Sequence, residues 1–544
     1  MALGEEPVGT ARIPDYSIPR PQARLDAAAV DRSRAAWLRS VKAGRSLAGW
    51  LDGRMDPVVR VPGGLVRGSS RDGVVSYLGI PYAGPSVGED RYRVPQAVVP
   101  WEGERDATVP GPTAAQSPYP APMDTVLPSS VAPGDDYLNV SVWAPAEGSG
   151  LPVIVWLPGG AFVRGANSVP VYDGTAFARN GIVLVSVNYR LGIPGFAVLD
   201  GAPTNLGLRD QIAALEWVRN NVAQFGGNPD DVTLFGESAG GMSVATLMAC
   251  PAARGLFSRA VVQSGGGTAV CSLEDARRVS AAAAAHLGVP ATAEAFAALD
   301  PEVVTAAQSA IALAIQADPD PNRWGATVLR GGLGIMTFFP VVDGDLVPDV
   351  PVARIAAGSA GGIQLLVGTT RDEFRLFLVP TGVVAAVTSQ MLPVLAARYR
   401  WPAGAAETYT ANRPGASPGD IAAAILTDAA FRVPAARLAA AQHAAGGTVH
   451  AYEFGWATSV LGLGACHALE LAFVFDTLAE ATPMVGDGAP QPLAVEMHRA
   501  WVSFARDGAP GWRPWTPDEQ AVMTFDVASE LVYAPRAAEL ALWD

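Results

Sequence analysis

The stretch DVTLFGESAGGMSV, residues 231–244, contains the pattern that decides the fold. A β-rich run opens it, an apolar helix-forming segment closes it, and Gly236, Ser238 and Gly240 between them fill a G-x-S-x-G pattern. Glycine is needed on both sides of the serine because side chains there would collide with the neighbouring strand or helix in a tight, strained turn. The stretch therefore predicts a strand, a sharp turn and a helix, with the Ser238 hydroxyl pushed out of the sheet as a nucleophile.

Other short apolar runs along the chain suit buried parallel strands, and helix-forming segments separate most of them. The runs lie at residues 152–157, 182–188, 231–235, 259–264, 363–368 and 448–454. The helical segments include RDQIAALEWVRNNVAQF, SAGGMSVATLMA and an Ala-rich segment near residues 421–445. This alternation predicts an α/β protein with a mostly parallel open sheet flanked by helices.

Composition narrows the class of protein and of partner. With 544 residues, 49% of them hydrophobic and 17% charged, the chain can bury a large core. A formal net charge of −14 argues against a nucleic-acid-binding surface and favours small neutral or cationic molecules as partners. The sequence makes no prediction of oligomeric state.

Cysteine content and hydropathy predict a cytoplasmic protein. Three cysteines, Cys250, Cys271 and Cys466, are too few for a secreted disulfide scaffold of this size. The start of the chain has neither a basic leader nor an apolar run of signal-peptide length, and no segment reaches about 18 uninterrupted apolar residues. We therefore expect no export and no membrane span.

Residues 1–55 differ from the rest and are interpreted as an N-terminal extension with a helix, ahead of one continuous domain over residues 56–544. The helix would carry an apolar stripe that includes Trp37, Val41 and Trp50, and five basic residues, Arg32, Arg34, Arg39, Lys42 and Arg45. Two interpretations stay open: a helix docked on the main domain, or one that binds a membrane surface or a partner.

A serine nucleophile needs a base, normally histidine, and a carboxylate that orients the base. Of the five histidines, His467 lies in a loop after the carboxyl end of a predicted strand, which is the edge where open α/β sheets gather their chemistry. The same rule selects Asp372 and Glu373, directly after the run 363–368, and the residues alone do not distinguish these two acids.

With these residues in this order, the chain resembles the type B carboxylesterase family, which includes bacterial para-nitrobenzyl esterases and cholinesterases. The resemblance extends from about Val58 to the C-terminus and rests on ordered motifs: GIPYAGPSVGEDRYRVPQ, DDYLNVSVWAP, WLPGGAF, VNYRLGIPGF, the stretch around Ser238, PVVDGD, GTTRDEF and GACHALELAFVF. It implies an α/β-hydrolase fold with large cap-like insertions. It also implies a triad of Ser238, Glu373 and His467.

The resemblance implies further site residues. The oxyanion hole would be formed by the amides of Gly160, Ala161 and Ala239, and Pro158 just ahead of them has no amide to offer. Glu237 would either stabilise the protonated histidine or be structural. The acyl pocket would be bordered by Met336 and Phe338, with core packing as the alternative for both.

Departures from the family pattern carry information about compartment and substrate. The two cysteines of the family's early disulfide appear here as Ala114 or Ala115 and as Tyr137, consistent with an intracellular protein. Residues 113–134 contain no tryptophan, whereas cholinesterases place a choline-binding tryptophan there. Choline esters are therefore not expected to be preferred substrates.

The sequence thus predicts a serine carboxylesterase that acts on short to medium acyl or aryl esters through an acyl-enzyme at Ser238, with no metal or cofactor. An acyltransferase, cyclase or amidase could use the same triad, because the site fixes the acyl-enzyme but not the acceptor. A non-catalytic binding protein is the alternative from another class, but such members of the superfamily lose the triad that this chain keeps.

Overall fold

The computed structural model describes residues 56–332 and 334–544. The extension and helix predicted for residues 1–55 lie outside the described residues. Among the helices that are described, none is both long enough and apolar enough to cross a membrane.

The centre of the described part is a large twisted sheet. The strands in chain order are β1 (Val58–Val61), β2 (Gly64–Arg67), β3 (Ser69–Arg71), β4 (Val74–Pro81), β5 (Glu104–Asp106), β6 (Asn139–Pro145), β7 (Leu151–Leu157), β8 (Val183–Val187), β9 (Gly227–Glu237), β10 (Arg259–Gln263), β11 (Cys271–Ser272), β12 (Val341–Val342), β13 (Gln364–Thr370), β14 (Val449–Phe454), β15 (Ala521–Phe525) and β16 (Glu530–Tyr533). Eleven of them form one sheet in the order β16-β15-β14-β13-β10-β9-β7-β8-β6-β4-β3. The pairs from β15 to β8 are parallel and the outer pairs are antiparallel. The small sheets β1-β2-β5 and β11-β12 lie apart from it.

Both faces of this sheet are buried, because successive side chains of a strand point to opposite sides. In β7, Val153 and Val155 belong to one hydrophobic cluster, whereas Ile154 and Trp156 belong to another. All four side chains are at most 2% exposed. A strand that is buried on both faces has a continuous apolar sequence. The six apolar runs found in the sequence are accordingly strands of this sheet.

Helices cover the two faces and form the insertions. The longer ones are Leu206–Asn221, Ala239–Ala249, Leu273–Leu287, Pro301–Ala317, Leu392–Tyr399, Pro418–Thr427, Val433–Ala444 and Gln491–Asp507. The shorter ones are Thr175–Arg179, Gly192–Phe196, Ala293–Ala297, Pro321–Trp324, Ala326–Gly332, Pro351–Ala356, Arg375–Leu378, Val383–Ala386, Ala405–Ala411, Leu471–Val474, Thr482–Val485 and Ala537–Leu540. The Ala-rich helix predicted near residues 421–445 is two helices joined by a π-turn at Asp428–Arg432. The predicted α/β fold is confirmed.

The register of the central strands determines which residues lie side by side at the carboxyl edge of the sheet. Gln263 at the end of β10 lies beside Glu237 at the end of β9 and beside Gly368 in β13. The segments that follow these strands, and the loop after β14, therefore leave the sheet side by side. The long insertions between β10 and β13, and between β13 and β14, follow from the same edge.

Candidate active site

Ser238 occupies the sharp turn between β9 and the helix Ala239–Ala249. Its backbone has φ 55° and ψ −124°, a strained combination for a residue other than glycine, and its N–H donates to the Gln263 carbonyl at 2.9 Å. A side chain on Gly236 would collide with the backbone of Gly240, and one on Gly240 would collide with the carbonyl of Leu157. These contacts are the reason for glycine at both positions, and they leave the Ser238 side chain at the wall of a cavity.

Glu373 and His467 form a buried, hydrogen-bonded pair. Nδ1 of His467 donates to Oε2 of Glu373 at 2.5 Å. The other oxygen, Oε1, accepts from the Ser264 hydroxyl at 2.6 Å and from the Thr370 N–H at 2.8 Å. Glu373 is 0% exposed. Three donors therefore hold the carboxylate in one orientation, and the carboxylate in turn fixes the imidazole.

Asp372, the neighbouring acid, points elsewhere. Its Oδ2 accepts from the Ala465 N–H at 3.0 Å, and its own N–H donates to the Ala465 carbonyl at 2.8 Å. It ties the loop that carries His467 to the end of β13, whereas Glu373 touches the ring itself. The geometry thus separates two acids that sequence reasoning from position could not.

The second ring nitrogen of His467 faces another carboxyl group. Nε2 lies 3.0 Å from Oε1 of Glu237, and within the described residues no hydrogen bond joins the ring to the Ser238 hydroxyl. This contact is a close approach of charges, because the ring geometry does not form a hydrogen bond to that oxygen. Hydrogen bonds to a nucleophile commonly tighten only when substrate binds.

The pKa values of His467 and Glu237 reflect their burial beside one another. Burial alone lowers the pKa of His467, but the carboxylates of Glu237 and Glu373 outweigh it and raise that pKa to about 9. Burial raises the pKa of Glu237 to about 7, with Glu373 adding to the rise and His467 opposing it. The imidazolium is thus stabilised by two buried carboxyl groups.

Sequence reasoning missed three contributors to this cluster. Ser264, the last residue of the run 259–264, lies at the same sheet edge as the nucleophile, a signal that could have identified it. Glu470 is 0% exposed, accepts from the Gln263 side chain at 3.1 Å, and has its pKa raised to about 8 by burial and by neighbouring carboxylates. The Phe431 ring, whose centre is 4.7 Å from that of His467, comes from the distant π-turn, and no local pattern marks it.

Of the three residues expected to form the oxyanion hole, Gly160 and Ala161 line the same cavity as Ser238, and Ala239 follows Ser238 directly in the chain. Those of the Gly-rich turn follow β7, and a side chain added at Gly159 would come within 3.1 Å of Ser238 Cβ, so this turn lies directly against the serine. In the described part of the chain, no group accepts a hydrogen bond from any of the three amides. Three uncommitted N–H donors beside a hydroxyl can receive negative charge that develops on a carbonyl oxygen.

A cavity of about 1600 Å³ opens over Ser238 and His467. Met336 is among its lining residues, as expected for the acyl pocket. Phe338 is not among them. The two side chains are otherwise alike, since Met336 is 5% and Phe338 3% exposed and both belong to the same hydrophobic core cluster. Core packing therefore stays the alternative for both, and a place for Phe338 at the acyl pocket stays a prediction.

Comparison with known proteins agrees with this geometry. A family model described as the carboxylesterase family matches residues 55–543. The para-nitrobenzyl esterase of Bacillus subtilis (strain 168) is 38% identical over 471 residues, which cover 83% of this chain and 90% of that protein. The phenmedipham hydrolase of Pseudarthrobacter oxydans is 33% identical over 86% of this chain and 94% of that protein. The crystal structure of the Geobacillus stearothermophilus carboxylesterase EST55 at pH 6.2 superposes with a TM-score of 0.78 at 35% identity, covering 90% of this chain and 100% of the other.

These matches span nearly all of the described domain and nearly all of each relative. Together with the nucleophile turn and the buried Glu–His pair at the sheet edge, they establish that this chain belongs to the carboxylesterase family.

Proposed function

We propose that the chain hydrolyses carboxylic esters by two-step acyl transfer at Ser238. The observation that carries the proposal is that one cavity is lined by the strained Ser238, by His467 of the buried Glu373–His467 pair and by the Gly-rich turn of Gly160 and Ala161. Each part supplies something that a serine hydroxyl lacks at neutral pH: a base, an oriented tautomer and a site for negative charge.

In the first step Oγ of Ser238 bonds to the ester carbonyl carbon while Nε2 of His467 takes the hydroxyl proton. The carbonyl oxygen becomes an oxyanion that accepts hydrogen bonds from Gly160, Ala161 and Ala239. When it collapses, the bond to the alcohol oxygen breaks and the alcohol leaves with the proton held by the imidazolium. Water then repeats these events on the acyl-enzyme and releases the carboxylic acid.

Glu237 is proposed to stabilise the imidazolium through its position against Nε2. His467 acts as a base only when its ring is neutral. Because its pKa is raised, activity should be low at lower pH and should rise as the pH increases. Glu237→Gln removes a carboxylate that favours the charged ring, so the pKa of His467 should fall. The acid limb of the kcat/KM profile should move to lower pH by about one to two pH units.

The matched control is Glu480→Gln, because Glu480 lines the same cavity but is exposed. It should leave the acid limb in place. If Glu237→Gln did not move the limb, or moved it to higher pH, electrostatic stabilisation by Glu237 would be wrong and its role would be structural.

The substrate class is proposed to be short to medium acyl or aryl esters. The names of two relatives, a para-nitrobenzyl esterase and a phenmedipham hydrolase, support aryl and benzyl groups on the substrate. The cavity is mostly apolar, with Met336 on its wall and the rings of Phe377 and Phe431 close to the histidine. A panel of p-nitrophenyl esters of increasing acyl length, with the released acid measured, tests the proposal. If the enzyme hydrolysed none of these esters, the proposed substrate class would be wrong.

Met336 is proposed to limit the length of the acyl group. Met336→Ala should raise kcat/KM for octanoate relative to butyrate by roughly tenfold, because each methylene accommodated in a dry pocket is worth up to about 0.8 kcal/mol. The matched control is Phe338→Ala, which should destabilise the protein by about 3–5 kcal/mol through a core cavity and leave the chain-length preference unchanged. If Phe338→Ala changed the chain-length preference and Met336→Ala did not, Phe338 would be the residue that limits the acyl group.

The cytoplasm is proposed as the compartment. Cys250, Cys271 and Cys466 are all buried free thiols, a state that a reducing compartment maintains. Fractionation of the native host, with the protein detected by antibody, tests this proposal.

A further inference from the structure

Arg164 brings a guanidinium to the wall of the catalytic cavity, on the same turn as two of the oxyanion amides. Its backbone N–H donates to the Gly160 carbonyl at 2.9 Å, so the residue belongs to the turn that lies against Ser238. The side chain is half-buried, and both Arg164 and Ser238 line the cavity. A group bound by this guanidinium would therefore lie in the same cavity as the nucleophile.

The guanidinium is held in place but not neutralised. Its Nε donates to the carbonyls of Ser117 and Pro118 at 3.0 and 3.4 Å, and its carbon lies 5.4 Å from the centre of the Tyr119 ring. Among the residues that the structure describes, none accepts a hydrogen bond from its two Nη groups, and no carboxylate lies within 4.0 Å. Burial lowers the pKa of Arg164, as it does for a cation that has no counter-charge.

The rest of the cavity wall has the same sign. Four more arginines line it without an ion pair to any described carboxylate: Arg330, Arg398, Arg400 and Arg437. The acidic side chains of the described lining are Glu480 and Glu237, and Glu237 is buried against His467. The net charge of −14 favours neutral or cationic partners, but the local charge of this wall is opposite and attracts anions.

We propose that Arg164 binds an anionic group of the substrate, so that esters that carry a carboxylate are preferred over neutral esters of the same size. The two Nη groups form a planar fork that matches a carboxylate with two parallel hydrogen bonds. Such bonds satisfy the two Nη groups of a half-buried cation, from which no group in the described part of the chain accepts a hydrogen bond. This inference rests on the proposed hydrolysis at Ser238 and specifies its substrate class.

The test compares esters matched in size. 4-Carboxybenzyl butyrate is paired with 4-carbamoylbenzyl butyrate, and monobenzyl adipate with benzyl adipamate, so that the charge lies on the alcohol side or on the acyl side. The wild-type enzyme should prefer the carboxylate in at least one pair. Arg164→Met should reduce that preference, measured as the ratio of kcat/KM values, by about tenfold or more. Arg164→Lys should retain part of it, because the charge stays but the fork is lost.

The control is Arg499→Met, which removes an exposed positive charge outside the cavity and should leave the ratio unchanged. If Arg164→Met lost activity on both esters, Arg164→Gln, whose amide can still donate to a backbone carbonyl, would repeat the comparison. Equal loss on both members of every pair, or no preference in the wild-type enzyme, would overturn the assignment. Failure of the proposed function would look different, since the wild-type enzyme would then hydrolyse neither member.

Discussion

Ser238→Ala should lower kcat/KM for a p-nitrophenyl ester by on the order of 10⁴-fold or more while leaving the fold intact. The side chain lies at the cavity wall and makes no hydrogen bond to the ring of His467 among described residues, so its removal leaves no new unpaired group in the core. The variant keeps the amides and the histidine but has no oxygen that can bond to the acyl carbon. Residual activity would come only from substrate binding and the oxyanion donors.

The matched control is Ser309→Ala, which removes another serine hydroxyl from the same cavity. Its kcat/KM should stay within about twofold of wild type, since its hydroxyl donates only to the Thr305 carbonyl of its own helix. Thermal melting of both variants shows that the folds are equivalent. Near-normal turnover by a folded Ser238→Ala protein would eliminate Ser238 as the nucleophile.

Glu373→Gln should have the second largest effect, a loss of about 10³–10⁴-fold in kcat with a small change in KM. An amide at this position keeps the shape but removes the charge that stabilises the imidazolium. It can also present an N–H toward Nδ1, which favours the wrong tautomer of His467. The burial of Glu373 strengthens both effects because water cannot replace the lost charge.

Asp372→Asn provides the comparison, because Asn can still accept from the Ala465 N–H and keep the loop in place. We expect its loss to be tenfold or less. Steady-state kinetics of both variants at several pH values is the measurement. If Asp372→Asn were the more damaging change, the role proposed for Glu373 would be wrong.

The parts of the fold that the sequence predicted are those in which local pattern and burial coincide. A strand such as β7 is buried on both faces, so its apolar run is continuous and easily recognised. The outer strands β4, β15 and β16 carry half-exposed residues, and their patterns are too mixed to distinguish them from loops. Prediction was therefore good for the centre of the sheet and poor at its edges.

At the active site, too, residues marked by a local sequence pattern were predictable and those that depend on tertiary packing were not. Ser238 is marked by its own neighbours, and His467 by its place after a strand, because both signals are local. Whether Asp372 or Glu373 faces the ring depends on how two strand-end loops pack, and position alone did not decide it. Met336 and Phe338 were expected at the acyl pocket from the resemblance alone, and since both are buried in one hydrophobic cluster, no local pattern separates a pocket residue from a core residue there.

The role of Ser238 as the nucleophile is tested most directly by covalent labelling with a p-nitrophenyl alkylphosphonate, followed by peptide mass spectrometry. The phosphonyl group bonds to the attacking oxygen as nitrophenolate leaves, and the adduct resembles the tetrahedral intermediate. We expect one phosphonyl group per chain, located on Ser238, with loss of esterase activity in proportion to labelling and no label in Ser238→Ala. Inactivation with the label on another residue, or full labelling of Ser238 with activity retained, would contradict that role.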